Sequence, residues 1–135
     1  MPLMSWKEEY SVRVNLIDQQ HRKLIDLLNQ LYDGLKAQRG KEVLGPVLHE
    51  LVGYTESHFT TEERLMQTHG YPGFQPHKLE HQMLVKKVRD FQKDFEAGKS
   101  AVSIELMSFL KGWLENHILK TDKQYSSHFE KKGVH

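Results

Sequence analysis

The chain has no cysteine. Disulfides, thiolate metal ligands and iron–sulfur clusters are therefore excluded, and the composition suits a reducing compartment. No apolar run approaches the ~18 residues of a membrane-spanning helix, and the first ten residues lack the apolar core of a secretory signal. Charge imbalance is missing too: 19 basic and 18 acidic residues leave a net charge of +1. Nothing electrostatic points to nucleic acid or to an anionic membrane. There is no internal repeat, low-complexity segment or long linker. A soluble cytoplasmic protein is the expectation. What the chain does have is histidine, nine copies, as many as glycine.

At 135 residues the chain is one domain, 1–135, long enough to bury a core. Residues 1–16, which include Trp6, Tyr10, Val12 and Val14, lack helical period and read as an extended arm. The first helix spans about 18–36, with Ile17, His21, Leu24, Leu28, Leu31 and Leu35 on one stripe. The second spans about 41–69, with Leu44, Leu48, Leu51, Thr55, His58, Glu62 and Leu65. Pro46 is tolerated in a first turn and kinks the helix elsewhere. Gly70-Tyr71-Pro72-Gly73 is a loop. The third helix spans about 76–96, with Pro76 suited to its first turn. Ser100 is the candidate N-cap of a fourth helix over about 101–119, and a short helix over about 123–132 follows. Short connections imply antiparallel neighbours. The fold class is all-α, an up-down-up-down antiparallel four-helix bundle with an extended N-terminal arm and a short C-terminal helix.

Each apolar stripe is interrupted by ionisable residues: His21, then His58 and Glu62, then His77 and His81, then His117, with Asp122 five residues on. A core rejects such groups unless they are paired or bind a metal. His21 opens its helix, His58 and Glu62 lie in the second half of theirs, His77 and His81 open theirs, and His117 closes its own. Because alternate helices run in opposite directions, all of them fall toward one end of the bundle. Unrelated buried histidines would have no reason to converge in this way.

His58 with Glu62 and His77 with His81 are i, i+4 pairs that project from one face and can share an ion. Asp122 lies about 140° around an ideal helix from His117. It joins them only if the fourth helix ends or turns near Lys120 and Thr121, and a break is predicted there. Five imidazoles are too many for one ordinary zinc site, so two metals are indicated. For two six-coordinate ions, five imidazoles, two bridging carboxylates and one solvent-derived bridge leave one position for a small ligand. Imidazole suits iron, copper, zinc and nickel; the carboxylates and the missing thiolates favour iron.

The segments Ile17-Asp18-Gln19-Gln20-His21, His58-Phe59-Thr60-Thr61-Glu62, His77-Lys78-Leu79-Glu80-His81 and His117 through Asp122, in this order and separation, resemble the hemerythrin family. The likeness covers essentially the whole chain and is greatest to the single-domain bacterial branch, the bacteriohemerythrins. It implies that His77, His81 and His117 ligate one iron, that His21 and His58 ligate the other, and that Glu62 and Asp122 bridge. It also implies two non-haem, oxo- or hydroxo-bridged iron ions, with dioxygen at the open position and azide able to bind the oxidised form. Phe59, Trp113, Leu114 and Ile118 match the family's oxygen pocket. Asp18, Gln20 and Glu63 are candidates to orient ligand imidazoles, with a surface role as the alternative. His49, His69, His128 and His135 fit no ligand pattern. One departure is Arg13, where the arm of many relatives has glycine.

The expected function is non-enzymatic: reversible dioxygen binding for storage, transport or delivery to an oxygen-consuming enzyme, by a monomer with no catalytic residues. Five neutral imidazoles and only two carboxylates stabilise high-valent iron less than the carboxylate-rich ferritin-like sites do, which argues for carrying oxygen over activating it. The alternatives are oxygen or redox sensing through a partner, and a di-iron enzyme acting as peroxidase, nitric-oxide reductase or iron-centre repair protein.

Overall fold

The computed structural model describes residues 2–135. Five α-helices follow one another: α1 (Asn15–Lys36), α2 (Lys41–Thr68), α3 (Phe74–Glu96), α4 (Ile104–Asn116) and α5 (Lys123–Lys131). The first four form the antiparallel bundle, with α1 packed on α2 and α4, and α2 packed on α3. Among the described residues there is no strand, and no helix is long and apolar enough to cross a membrane.

Burial follows the helical stripes. On α1 the buried apolar positions are Ile17, Leu24, Ile25, Leu27, Leu28 and Leu31. The apolar side chains fall into two separate clusters. The larger one, built on Leu27, Leu31, Leu48, Phe95 and Leu110, fills one end of the bundle. The smaller, with Val12, Ile17, Met66, Tyr125 and Phe129, lies beneath the arm and α5. Along the four bundle helices the His and carboxylate positions fall between members of the two clusters: His21 between Ile17 and Leu24, Glu62 between Val52 and Met66, His77 and His81 between Phe74 and Val88, and His117 between Leu114 and Tyr125. The polar layer is therefore sealed by oil on both sides.

Two local features depart from the sequence-based expectation. Ser103, not Ser100, caps α4: its Oγ accepts the Leu106 N–H at 3.1 Å. The backbone N–H groups of Lys99 and Ser100 both donate to the Asp94 carbonyl, so Ser100 still belongs to the turn that closes α3, around Gly98 at φ 76°. The predicted break near Lys120 and Thr121 is absent as well. The chain passes from α4 into α5 through a π-helical segment, His117–Asp122. A π turn closes its hydrogen bond over five residues, not four. Residues five apart, such as His117 and Asp122, therefore share a face without any interruption of the helix. In α2, the helix runs through Pro46, which lies past its first turn and gives up one backbone bond there.

The arm, residues 2–14, is extended apart from a single 3₁₀ turn at Glu8–Tyr10. Asp18 ties it down by accepting from the Val12 N–H at 2.9 Å and the Ser11 hydroxyl at 2.6 Å. Between these anchors Arg13 is forced to φ 61°. That region costs a non-glycine residue about 1–2 kcal/mol, while glycine's greater unfolded-state entropy costs about 0.5–1 kcal/mol. The exposed Arg13–Glu130 ion pair at 3.6 Å adds little. Arg13→Gly is expected to raise Tm by about 2–4 °C. A fall in Tm would show that the ion pair outweighs the strain.

Candidate metal centre

All seven positions singled out by helical spacing converge. His21, His58, His77, His81, His117, Glu62 and Asp122 are each at most 3% exposed. They form two groups of mutually close ligand atoms: Glu62, His77, His81, His117 and Asp122 in one, and His21, His58 and Glu62 in the other. The two oxygens of Asp122 diverge. Oδ1 lies 3.0 Å from His77 Nε2 and 2.9 Å from His117 Nε2, while Oδ2 lies 3.1 Å from His21 Nε2. Glu62 Oε1 faces both groups, at 3.0 Å from His58 Nε2 and 3.4 Å from His81 Nε2. Its Oε2 accepts the hydroxyl of Tyr125. A carboxylate oxygen has two lone pairs, so that bond leaves capacity on Oε2.

Three imidazoles are held from behind. His58 Nδ1–H donates to Gln20 Oε1 at 2.6 Å, His81 Nδ1–H to Glu63 Oε2 at 2.9 Å, and His117 Nδ1–H to Glu80 Oε1 at 2.6 Å. These acceptors fix the tautomer and leave each neutral ring with its Nε2 lone pair facing inward. Aromatic faces hold the rings as well. Phe59 stacks on His81 at 3.7 Å, Trp113 on His117 at 4.4 Å and Tyr125 on His77 at 5.5 Å.

The inward atoms are poorly satisfied by one another. His117 Nε2 is 3.2 Å from His77 Nε2 and 3.0 Å from His81 Nε2. Inward lone pairs at that distance repel unless a cation, proton or metal, lies between them. Both nitrogens of His21, His58 Nε2, Glu62 Oε1 and both oxygens of Asp122 are buried with no hydrogen-bond partner among the described residues. At about 1–3 kcal/mol for each such atom, six of them rival the stability of an ordinary domain. Adjacent ligands around an ion at ~2.1 Å lie ~3.0 Å apart when they subtend a right angle. The separations here are of that size. The donor set therefore fits two metal ions better than it fits a network of its own hydrogen bonds.

Electrostatics agree. Burial and Asp122 push Glu62 upward, but His58 and His81 hold its carboxyl far below the usual range. Burial likewise raises Asp122, and its imidazole neighbours, His117 first, pull it well down. Burial, then the charges of Asp122 and Glu62, pushes the Tyr125 phenol well up, so it stays neutral and donates. Burial lowers His117, yet Asp122, Glu80 and Glu62 outweigh it and push the imidazole up to about 10. His117 must surrender that proton before it can coordinate. Metal loading near pH 7 is expected to release protons and to tighten as pH rises. Calorimetric titration in buffers of different ionisation enthalpy checks this; a binding enthalpy independent of the buffer would contradict it.

Beside the centre lies an apolar cavity of about 50 Å³, whose lining includes Phe59, Trp113, Leu114, Leu24, Leu51 and Thr55. Thr55 contributes the hydroxyl there, and it is bonded back to the Leu51 carbonyl at 2.7 Å. A space of this size and lining favours small apolar molecules over water. Ile118 is fully buried in the adjoining apolar cluster but does not line the cavity.

Of the candidate orienting residues, Gln20 and Glu63 contact ligand imidazoles, whereas Asp18 serves the arm. Sequence reasoning did not assign Glu80, Thr121 or Tyr125. Glu80 sits inside the His77–His81 motif, and its side chain points back across the bundle to His117 and to Thr121 Oγ1 at 3.0 Å. Tyr125, three residues after Asp122, could have been found by helical spacing. Elsewhere, His49 lies against Gln92, and His128 donates to the His69 carbonyl.

A family model described as the hemerythrin HHE cation binding domain matches residues 12–128. The bacteriohemerythrin of Methylococcus capsulatus is 40% identical over 126 residues, spanning 93% of this chain and 95% of that protein. The bacteriohemerythrin of Stenotrophomonas maltophilia is 38% identical, spanning 93% and 81%. A myohemerythrin from Theromyzon tessulatum is 31% identical over 89% of the chain and 88% of that protein. The crystal structure of a wild-type hemerythrin superposes with a TM-score of 0.87 at 39% identity, covering 93% of this chain and 96% of that one.

Proposed function

Because this chain belongs to the hemerythrin family, we propose that it carries dioxygen, binding it reversibly at a non-haem di-iron centre for storage, transport or delivery to an oxygen-consuming enzyme. One observation carries this reading: five imidazoles and two carboxylates, with six orphaned buried polar atoms among them, sit beside an apolar cavity. His77, His81 and His117 would hold one iron and His21 and His58 the other, with Glu62 and Asp122 shared between the two groups. Once bound, the irons supply the redox chemistry by which dioxygen is taken up and released.

The chain's own residues make that chemistry reversible. Phe59, Trp113 and Leu114 line the oxygen pocket, with Ile118 packed in the adjoining apolar cluster, and together they keep water and protons from the centre, which disfavours irreversible oxidation. Tyr125 fixes the orientation of Glu62 through its hydroxyl. Among the described residues, those that line the cavity are uncharged, which favours holding a small apolar ligand there. The protein works as a cytoplasmic monomer.

The test is a visible spectrum with metal analysis of the purified protein. It is reduced anaerobically, re-exposed to air, and azide is then added to the oxidised form. The expected result is about two irons per chain, a colourless reduced state and a coloured oxygen adduct that reverses under vacuum. One zinc per chain, or no reversible oxygen band, would overturn the reading.

A further inference from the structure

The two halves of the cluster are backed by groups of different charge. In the three-imidazole half, His81 and His117 donate their outer N–H to the carboxylates of Glu63 and Glu80. In the two-imidazole half, His58 donates to the neutral amide oxygen of Gln20, and His21 Nδ1 has no hydrogen-bond partner among the described residues. Two carboxylates thus stand behind one half and none behind the other.

A carboxylate that accepts the outer N–H of an imidazole makes its inner nitrogen a stronger donor, and such partners are typically worth 10–100-fold in metal affinity. Charge-assisted bonds of this kind are about twice as strong as neutral ones. An amide oxygen fixes the ring orientation but supplies no net charge. Solvent screens part of this difference, since the Glu80 side chain is 38% exposed and that of Glu63 21%, but the direct hydrogen bonds to His117 and His81 at 2.6 and 2.9 Å remain. Glu80 is itself held, with Thr121 Oγ1 donating to its two oxygens at 3.0 and 3.1 Å. Thr121 lies in the same π-helical segment as His117 and Asp122. One irregular turn therefore places two members of the ligand set and the clamp on the group behind one of them.

We propose that Glu80 and Glu63 are positioning residues that make the three-imidazole half the tight ion site, and that Gln20 keeps the two-imidazole half weaker and more exchangeable. The inference rests on the two-ion reading above and extends it, since it makes the tightness of each half depend on the charge of its outer partner and not only on its number of imidazoles.

The experiment titrates the metal-free protein with Co²⁺ against a competing chelator, follows the visible bands of bound cobalt, and compares single variants. Wild type is expected to take two ions with separated dissociation constants. Glu80→Gln and Glu63→Gln should each weaken the tighter site by about 10–100-fold and leave the weaker one in place. Thr121→Val should weaken the tighter site by a smaller factor. Gln20→Glu should tighten the weaker site and narrow the gap. Thermal unfolding of each metal-free variant, expected within a few degrees of wild type, separates this effect from loss of fold. If two ions bind but Glu80→Gln and Glu63→Gln leave the tighter constant unchanged, the inference is overturned and the two-ion centre stands. If wild type takes one ion, the two-ion reading itself falls.

Discussion

His117→Ala is expected to destroy the two-ion centre. Its Nε2 lies within 3.2 Å of His77 and His81 and 2.9 Å from Asp122, so it is the most connected imidazole of the three-imidazole half. Alanine removes one ligand and the ring that Trp113 stacks against, and it strands Glu80. Iron per chain should fall from about two to one or fewer, with a loss of affinity of at least about 100-fold, since even an outer partner is worth 10–100-fold. Metal analysis with a visible spectrum reads the loss, and far-ultraviolet circular dichroism checks that the helices persist. Full di-iron occupancy in the variant would remove His117 from the ligand set.

Leu114→Ala is expected to leave both irons in place and shorten the life of the oxygen adduct. Leu114 is buried in α4 one turn before His117, lines the cavity and touches no ligand in a hydrogen bond. Its removal enlarges a space already large enough for small molecules. The cost in stability is about 2–5 kcal/mol. Because that space abuts the centre, water and protons gain access, and autoxidation should speed up. Decay of the adduct band under air gives the rate. An unchanged rate with a lowered Tm would make Leu114 an ordinary core residue and place the solvent barrier elsewhere. Ile118→Ala is the informative companion, because Ile118 is buried but lies outside the cavity lining.

Much of this protein is legible in the periodicity of its chain. Stripes such as Ile17, His21, Leu24, Leu28 report helices because an α-helix repeats every 3.6 residues and each stripe has to be buried. The i, i+4 pairs His58 with Glu62 and His77 with His81 project together for the same reason. Antiparallel connection then carries His21 and His117 to the same level. The apolar neighbours on both sides of each ligand, Ile17 and Leu24 around His21 for example, already encode a polar layer between two oily ones.

What the tertiary structure decided involves atoms whose positions depend on how helices rotate and slide against one another. The approach of Asp122 to His117 is the clearest case. Local spacing puts it about 140° away on an α-helix, and from spacing alone a break near Lys120 and Thr121 is expected. The structure takes the π turn, which keeps the helix bonded while satisfying the centre. Glu80 reaches His117 across the bundle, 37 residues away in sequence, and no periodicity within α3 announces that contact. Asp18 stands next to the ligand layer in sequence, yet it turns to the arm because two donors, Ser11 and Val12, are within reach. The sequence by itself determined the helices, their order and which His and carboxylate residues share one buried layer, since these follow from local period and chain direction. Only the packed structure decided which groups stand behind each imidazole and how Asp122 enters, because those contacts cross between helices and their geometry is set by packing, not by spacing along the chain.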